Sequence, residues 1–111
     1  AQTRGILAAP LFSRLPAGAV LINCGRGEHM VNEDVLAALK SGQLAGAVLD
    51  VFPQEPLPAD GPLWRHPQVV ITPHMASAAS AEVIARQLLE NIQRQRRGLP
   101  LKNLVNKHAG Y

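Results

Sequence analysis

Four side chains in this sequence form a set that could hold and protonate a carbonyl group: Arg26, Asp50, Glu55 and His74. A guanidinium is a planar fork matched to a carboxylate, and it stays charged at any working pH. An imidazole gives or takes a proton near neutrality. A glutamate hydrogen-bonded to it favours the imidazolium and fixes its orientation. Together they suit a carbonyl next to a carboxylate, which must be gripped at one end and protonated at the other.

Convergence of these residues depends on the elements that carry them. Ala19 to Cys24 is an apolar, strand-like run that ends in a turn where Arg26 stands between the small, permissive Gly25 and Gly27. Ala45 to Val51 is a second such run, with Asp50 at its end and a proline-dense loop after it that contains Glu55. Val69 to Thr72 is a third run, β-branched throughout, bounded by Pro67 and Pro73 and followed at once by His74. Continuous apolar runs separated by a helix or a long connection predict parallel strands buried on both faces. The carboxyl ends of such strands line the edge where ligands bind in an open α/β sheet.

Helices complete the α/β reading. One is expected from Ala8 to Leu15, stopped by Pro16-Ala17-Gly18, and a second from Glu33 to Ser41, with Asn32 as N-cap and Gly42 as C-cap. A third is expected from Ala81 to Arg97, capped by Ser80, striped by Ile84, Leu88 and Ile92, and closed by Gly98 and Pro100.

The totals narrow the classes. With 111 residues, 47% hydrophobic and 17% charged, the chain can bury one core and is not disordered by composition. The net charge is +3, but only Arg94, Arg96 and Arg97 are concentrated, at a helix C-terminus where cations offset the dipole, so no nucleic-acid partner is expected. A single cysteine excludes an intrachain disulfide and fits a reducing compartment. No leader-like or bilayer-length apolar run occurs, so a cytoplasmic protein with no membrane partner is expected. His29, His66 and His108 show no ligand spacing, and no metal is assigned. Cys24 is read as a small packed thiol, and Trp64 as a ring buried to anchor the proline-rich loop.

At the strand ends a resemblance becomes specific. Asn23-Cys24-Gly25-Arg26-Gly27, Leu49-Asp50-Val51-Phe52 with Glu55-Pro56, and Thr72-Pro73-His74-Met75-Ala76-Ser77 resemble, in order and spacing, three signature blocks of the D-isomer-specific 2-hydroxyacid dehydrogenases. Within that family, Pro62-Leu63-Trp64, the helical tail and the Gly110-Tyr111 ending resemble the bacterial glyoxylate/hydroxypyruvate reductase A branch.

The resemblance implies an oxidoreductase using NAD or NADP to reduce a small 2-oxoacid, glyoxylate or hydroxypyruvate, to the D-2-hydroxyacid. Arg26 would bind the substrate's carboxylate and carbonyl, His74 would be general acid in reduction and base in oxidation, and Glu55 its partner. Asp50 would hold the nicotinamide carboxamide. Cys24, Gly25, Arg26 and the segment His74, Met75, Ala76 and Ser77 would line the cofactor. A dinucleotide-sensing corepressor of the same fold is the alternative. The sequence holds no Gly-x-Gly-x-x-Gly and no acidic residue placed to read the adenosine ribose. Residues 1–111 are therefore expected to be the C-terminal part of a Rossmann-like NAD(P)-binding domain, with 79–111 as a return helix and tail, inactive alone. Its exposed sheet edge and apolar face are expected to drive self-association into a homo-oligomer.

Overall fold

The computed structural model describes residues 3–77 and 79–108, which form two compact units divided at position 78. Gly110 and Tyr111 lie outside the described residues. The first unit runs α1 (Ala9–Phe12), β1 (Ala19–Asn23), α2 (Asn32–Ser41), β2 (Leu44–Leu49) and β3 (Val69–Ile71), with short 3-10 turns at Gly27–His29 and Pro62–Arg65. Its strands form a parallel sheet in the order β1-β2-β3. Asn23 pairs with Leu49 and Leu49 with Ile71, so the three carboxyl ends finish level. Arg26, Asp50 and His74 each follow within a few residues of that line.

Helix α2 connects β1 to β2 and packs on β2, as a parallel crossover requires. Val35, Ala38 and Leu39 on α2 meet Leu21, Leu44, Ala47 and Leu49 of the sheet, with Phe12 of α1 closing the core. Val35, Leu44 and Leu49 are fully buried, each contributing about 1.5–3 kcal/mol of apolar transfer. Gly42 ends α2 in the left-handed conformation at φ +77, as expected. Gln43 then donates through Nε2 to the carbonyls of Phe12 and Leu15, tying the end of α1 to the start of β2.

Several expectations are corrected. Helix α1 has four residues. Arg14 and Leu15 continue it only as tighter turns, donating to Leu11 and Phe12, because Pro16 has no N–H to extend the ladder. Val31, not Asn32, is the N-cap of α2; Asn32 is the first helical residue, and its Oδ1 is buried without a hydrogen-bond partner. Within this unit the helices cover one face of the sheet. Leu21 and Asn23 of β1 are buried, whereas Val20, Ile22 and Val70 are 57–66% exposed. Continuous apolar runs equip both faces, but in this unit α1 and α2 supply a layer for only one.

The second unit is α3 (Ala81–Arg96) and the segment after it. Ser80 caps the helix by accepting from the Val83 N–H, and Gly98 turns the chain at φ +66. Asn91 then clamps Lys102 with a reciprocal pair of hydrogen bonds, and Arg94 donates to the Pro100 carbonyl. The stripe Ile84, Leu88 and Ile92 is exposed.

Candidate active site

The Arg26 turn is built from beneath by Asn23, which is buried at the end of β1. Its Oδ1 accepts from the Gly25 N–H and its Nδ2 donates to the Arg26 carbonyl. The turn is pinned from the side by Gly5 and Leu7, whose N–H groups donate to the carbonyls of Glu28 and His29. Gly27 is buried against the Phe52 carbonyl, where even a methyl group has no room. Its smallness therefore serves close approach, not a left-handed turn, since its φ is not positive. The Arg26 guanidinium reaches the surface and donates only to its neighbour's carbonyl, that of Gly25, at 3.0 Å. Among the described residues it has no acidic partner.

Across from it, Glu55 is held at both carboxylate oxygens. Oε1 accepts from the Phe52 N–H at 2.9 Å, and Oε2 lies 2.9 Å from His74 Nδ1. The bond to His74 comes first, and that to Phe52 second, in holding the Glu55 carboxyl below the usual carboxylate range. The Glu55–Pro56 peptide is cis. With Nδ1 committed to Glu55, Nε2 is the imidazole nitrogen left for a reacting group. Arg26, Glu55 and His74 line one cleft of about 190 Å³, floored by Phe52 and Pro53.

Asp50 organises the loop that carries His74. Its carboxylate is almost fully buried and accepts from the Thr72 hydroxyl, the Met75 N–H at 2.9 Å and the Ala76 N–H at 2.9 Å. Those bonds, the Thr72 hydroxyl foremost, hold it below the ordinary aspartate range against the opposing effect of burial. The loop they fix places His74 at φ +51, a left-handed conformation that costs an L residue about 1–2 kcal/mol. Three hydrogen bonds from its surroundings offset that cost.

The sequence-predicted residues are thus distributed unevenly. Arg26, Glu55 and His74 share a cleft. Asp50 lies beneath the His74 loop. Met75, Ala76 and Ser77 are exposed on the turn that follows. Cys24 and Gly25 precede Arg26 on the surface and line neither this cleft nor its larger neighbour. The exposed Cys24 corrects the expectation of a packed thiol, because β1 ends one residue earlier and the pleat turns position 24 outward. Trp64 is likewise half exposed; Leu63 beside it is the buried anchor, and the Trp64 ring instead walls a groove of about 500 Å³ that also touches Glu55 and His74.

Asn23 and Thr72, which the sequence reading placed in the signature blocks without a role, are positioning residues. Both are polar side chains at the last position of an apolar run or just beyond it, and that is the signal that could have found them.

Residues 1–76 match the family described as D-isomer specific 2-hydroxyacid dehydrogenase, NAD binding domain. The chain belongs to this family. It is 45% identical over its whole length to a glyoxylate/hydroxypyruvate reductase A of Klebsiella pneumoniae, of which it covers 36%. A crystal structure of a D-isomer specific 2-hydroxyacid dehydrogenase family protein from the same species is 95% identical over 97% of this chain, with TM-score 0.85, and this chain covers 35% of it. An NADPH-dependent glyoxylate/hydroxypyruvate reductase from Sinorhizobium meliloti, solved with NADP and sulfate, is 44% identical, with TM-score 0.88 over 99% of this chain and 36% of that one. The chain therefore spans about a third of the length of the relatives it matches. Among its described residues no helix is long and apolar enough to cross a membrane.

Proposed function

We propose that this chain supplies the substrate-gripping and proton-donating half of an NADP-dependent reductase of small 2-oxoacids, with glyoxylate or hydroxypyruvate as substrate. The single observation that carries the reading is the cleft where an arginine without an acidic partner faces a glutamate–histidine pair. Arg26 grips the carboxylate with two parallel hydrogen bonds and leaves the adjacent carbonyl at His74. His74 delivers the Nε2 proton to the carbonyl oxygen as it becomes a hydroxyl, and takes it back in the reverse direction. Glu55, bound at Nδ1, orients the ring and leaves Nε2 turned to the substrate.

The residues present fit the nicotinamide end of the cofactor. Asp50 Oδ1 accepts two hydrogen bonds but Oδ2 only one, leaving an acceptor position for a carboxamide N–H. The small residues Gly25, Ala76 and Ser77 leave backbone accessible on the same sheet edge. A bound nicotinamide supplies the hydride that reduces the carbonyl carbon. NADP rather than NAD is favoured by the S. meliloti relative, which was solved with it. A cytoplasmic homo-oligomer is the setting we infer.

The test joins this chain behind the dinucleotide-binding segment of that relative and follows glyoxylate-dependent NADPH oxidation. His74→Gln should lower kcat by about 10²–10⁴-fold, the range of general acid catalysis. Arg26→Gln should act mainly through KM. Tight NADPH binding without turnover of any small 2-oxoacid would refute the reading and favour a dinucleotide sensor.

A further inference from the structure

The cleft that holds Arg26 and His74 is also lined by one charged residue to which the roles above give no task, Glu28. It stands in the middle of the 3-10 turn Gly27–His29, and its carbonyl is fixed by the Gly5 N–H at 2.8 Å. The residue is exposed, and among the described residues its carboxylate forms no ion pair. Arg26, two positions earlier, lines the same cleft without reaching it.

The charges around a bound acid can be followed one by one. Arg26 is the single lysine or arginine among the described residues that line the cleft, and a first carboxylate takes it up. Glu55 is engaged by His74 and by the Phe52 N–H. The adjoining groove adds the carboxylate of Asp50 and no lysine or arginine. A second carboxylate on the same ligand therefore meets no free cation in either space, and in the cleft it faces the charge of Glu28. Repulsion of this kind separates ligands that the attractive contacts treat alike.

We propose that Glu28 is a specificity-determining residue that turns the cleft against 2-oxodicarboxylates and keeps it for 2-oxoacids with one carboxylate. The inference rests on the roles given above to Arg26 and His74. Glu28 opposes every anion to some degree, but most of all one that brings a second charge.

2-Oxopentanoate and 2-oxoglutarate share a chain length and differ in the second carboxylate, so they isolate this effect. The experiment titrates the 111-residue chain and its Glu28→Gln variant with each acid at low salt, following the Arg26 guanidinium and His74 imidazole resonances. The substitution keeps the size of an exposed side chain and removes its charge. It should tighten 2-oxoglutarate about three- to tenfold more than 2-oxopentanoate, the effect of a unit charge roughly 6 Å away at an effective dielectric constant of about 40–80. The excess should fade in about 1 M salt, where the Debye length is about 3 Å against about 30 Å at about 0.01 M. Equal tightening of the two acids, or an excess that persists at high salt, would overturn the proposal; a shifted Arg26 resonance then leaves the grip on the first carboxylate intact. If neither acid moves the Arg26 or His74 resonances, that grip falls and the selectivity with it.

Discussion

Gly27→Ala isolates a packing constraint on which the Arg26 turn depends. A Cβ at this position would lie 1.9 Å from the carbonyl carbon and oxygen of Phe52 and 2.5 Å from the nitrogen of Pro53. Ordinary carbon contacts are about 3.5–4.0 Å, so two backbone segments must part by roughly 1.5 Å. Overpacking typically costs about 1–3 kcal/mol, and with main chain on both sides the upper end applies. For a domain of this size that lowers the unfolding midpoint by about 12 °C or more. The same movement displaces Phe52, whose N–H holds Glu55. Misplacement by about 1 Å can cost on the order of a hundredfold in rate. Thermal unfolding followed by circular dichroism is the assay, with Gly42→Ala as the control. Gly42 has φ +77 and nothing within 4 Å of the place a methyl carbon would take, so its substitution should cost only the left-handed strain of about 1–2 kcal/mol. A Gly27→Ala midpoint equal to or above that of Gly42→Ala would refute the close-approach reasoning.

Two further outcomes follow from the carboxylates. Asp50 and Glu55 are both held below the usual carboxylate range in the folded chain, so the folded state releases these protons more readily than the unfolded one. Their stabilisation is therefore fully present above the unfolded values and is lost as pH falls through the folded ones. Urea midpoints should hold steady down to about pH 5 and decline below about pH 4, less steeply for Glu55→Gln; a decline of unchanged steepness in that variant would contradict the role of the His74 and Phe52 hydrogen bonds. Asp50→Asn should loosen the loop that carries His74, because an amide NH₂ replaces either Oδ2, which accepts Ala76, or Oδ1, which accepts both Thr72 and Met75. Hydrogen exchange at Met75 and Ala76 should quicken by about tenfold, the worth of a charge-assisted bond, and unchanged protection would count against the anchoring role.

The sequence by itself determined the three parallel strands, the helix between the first two, the left-handed stop at Gly42 and the capping of α3 by Ser80. It also placed Arg26, Glu55 and His74 near one sheet edge. These features are set by neighbours along the chain: apolar runs, β-branched residues, and the turn residues that end them. What only the tertiary structure decided depends on contacts between residues far apart in sequence. Asp50 turns its carboxylate inward because Thr72, Met75 and Ala76 arrive from the next strand end. Gly27 must be glycine because Phe52 passes against it. Cys24 and Trp64 face outward although their types suit burial, and Val20, Ile22 and Val70 are exposed although they are apolar. Residue type records what a position can tolerate; which groups meet there is settled only when register and crossover bring the strand ends level.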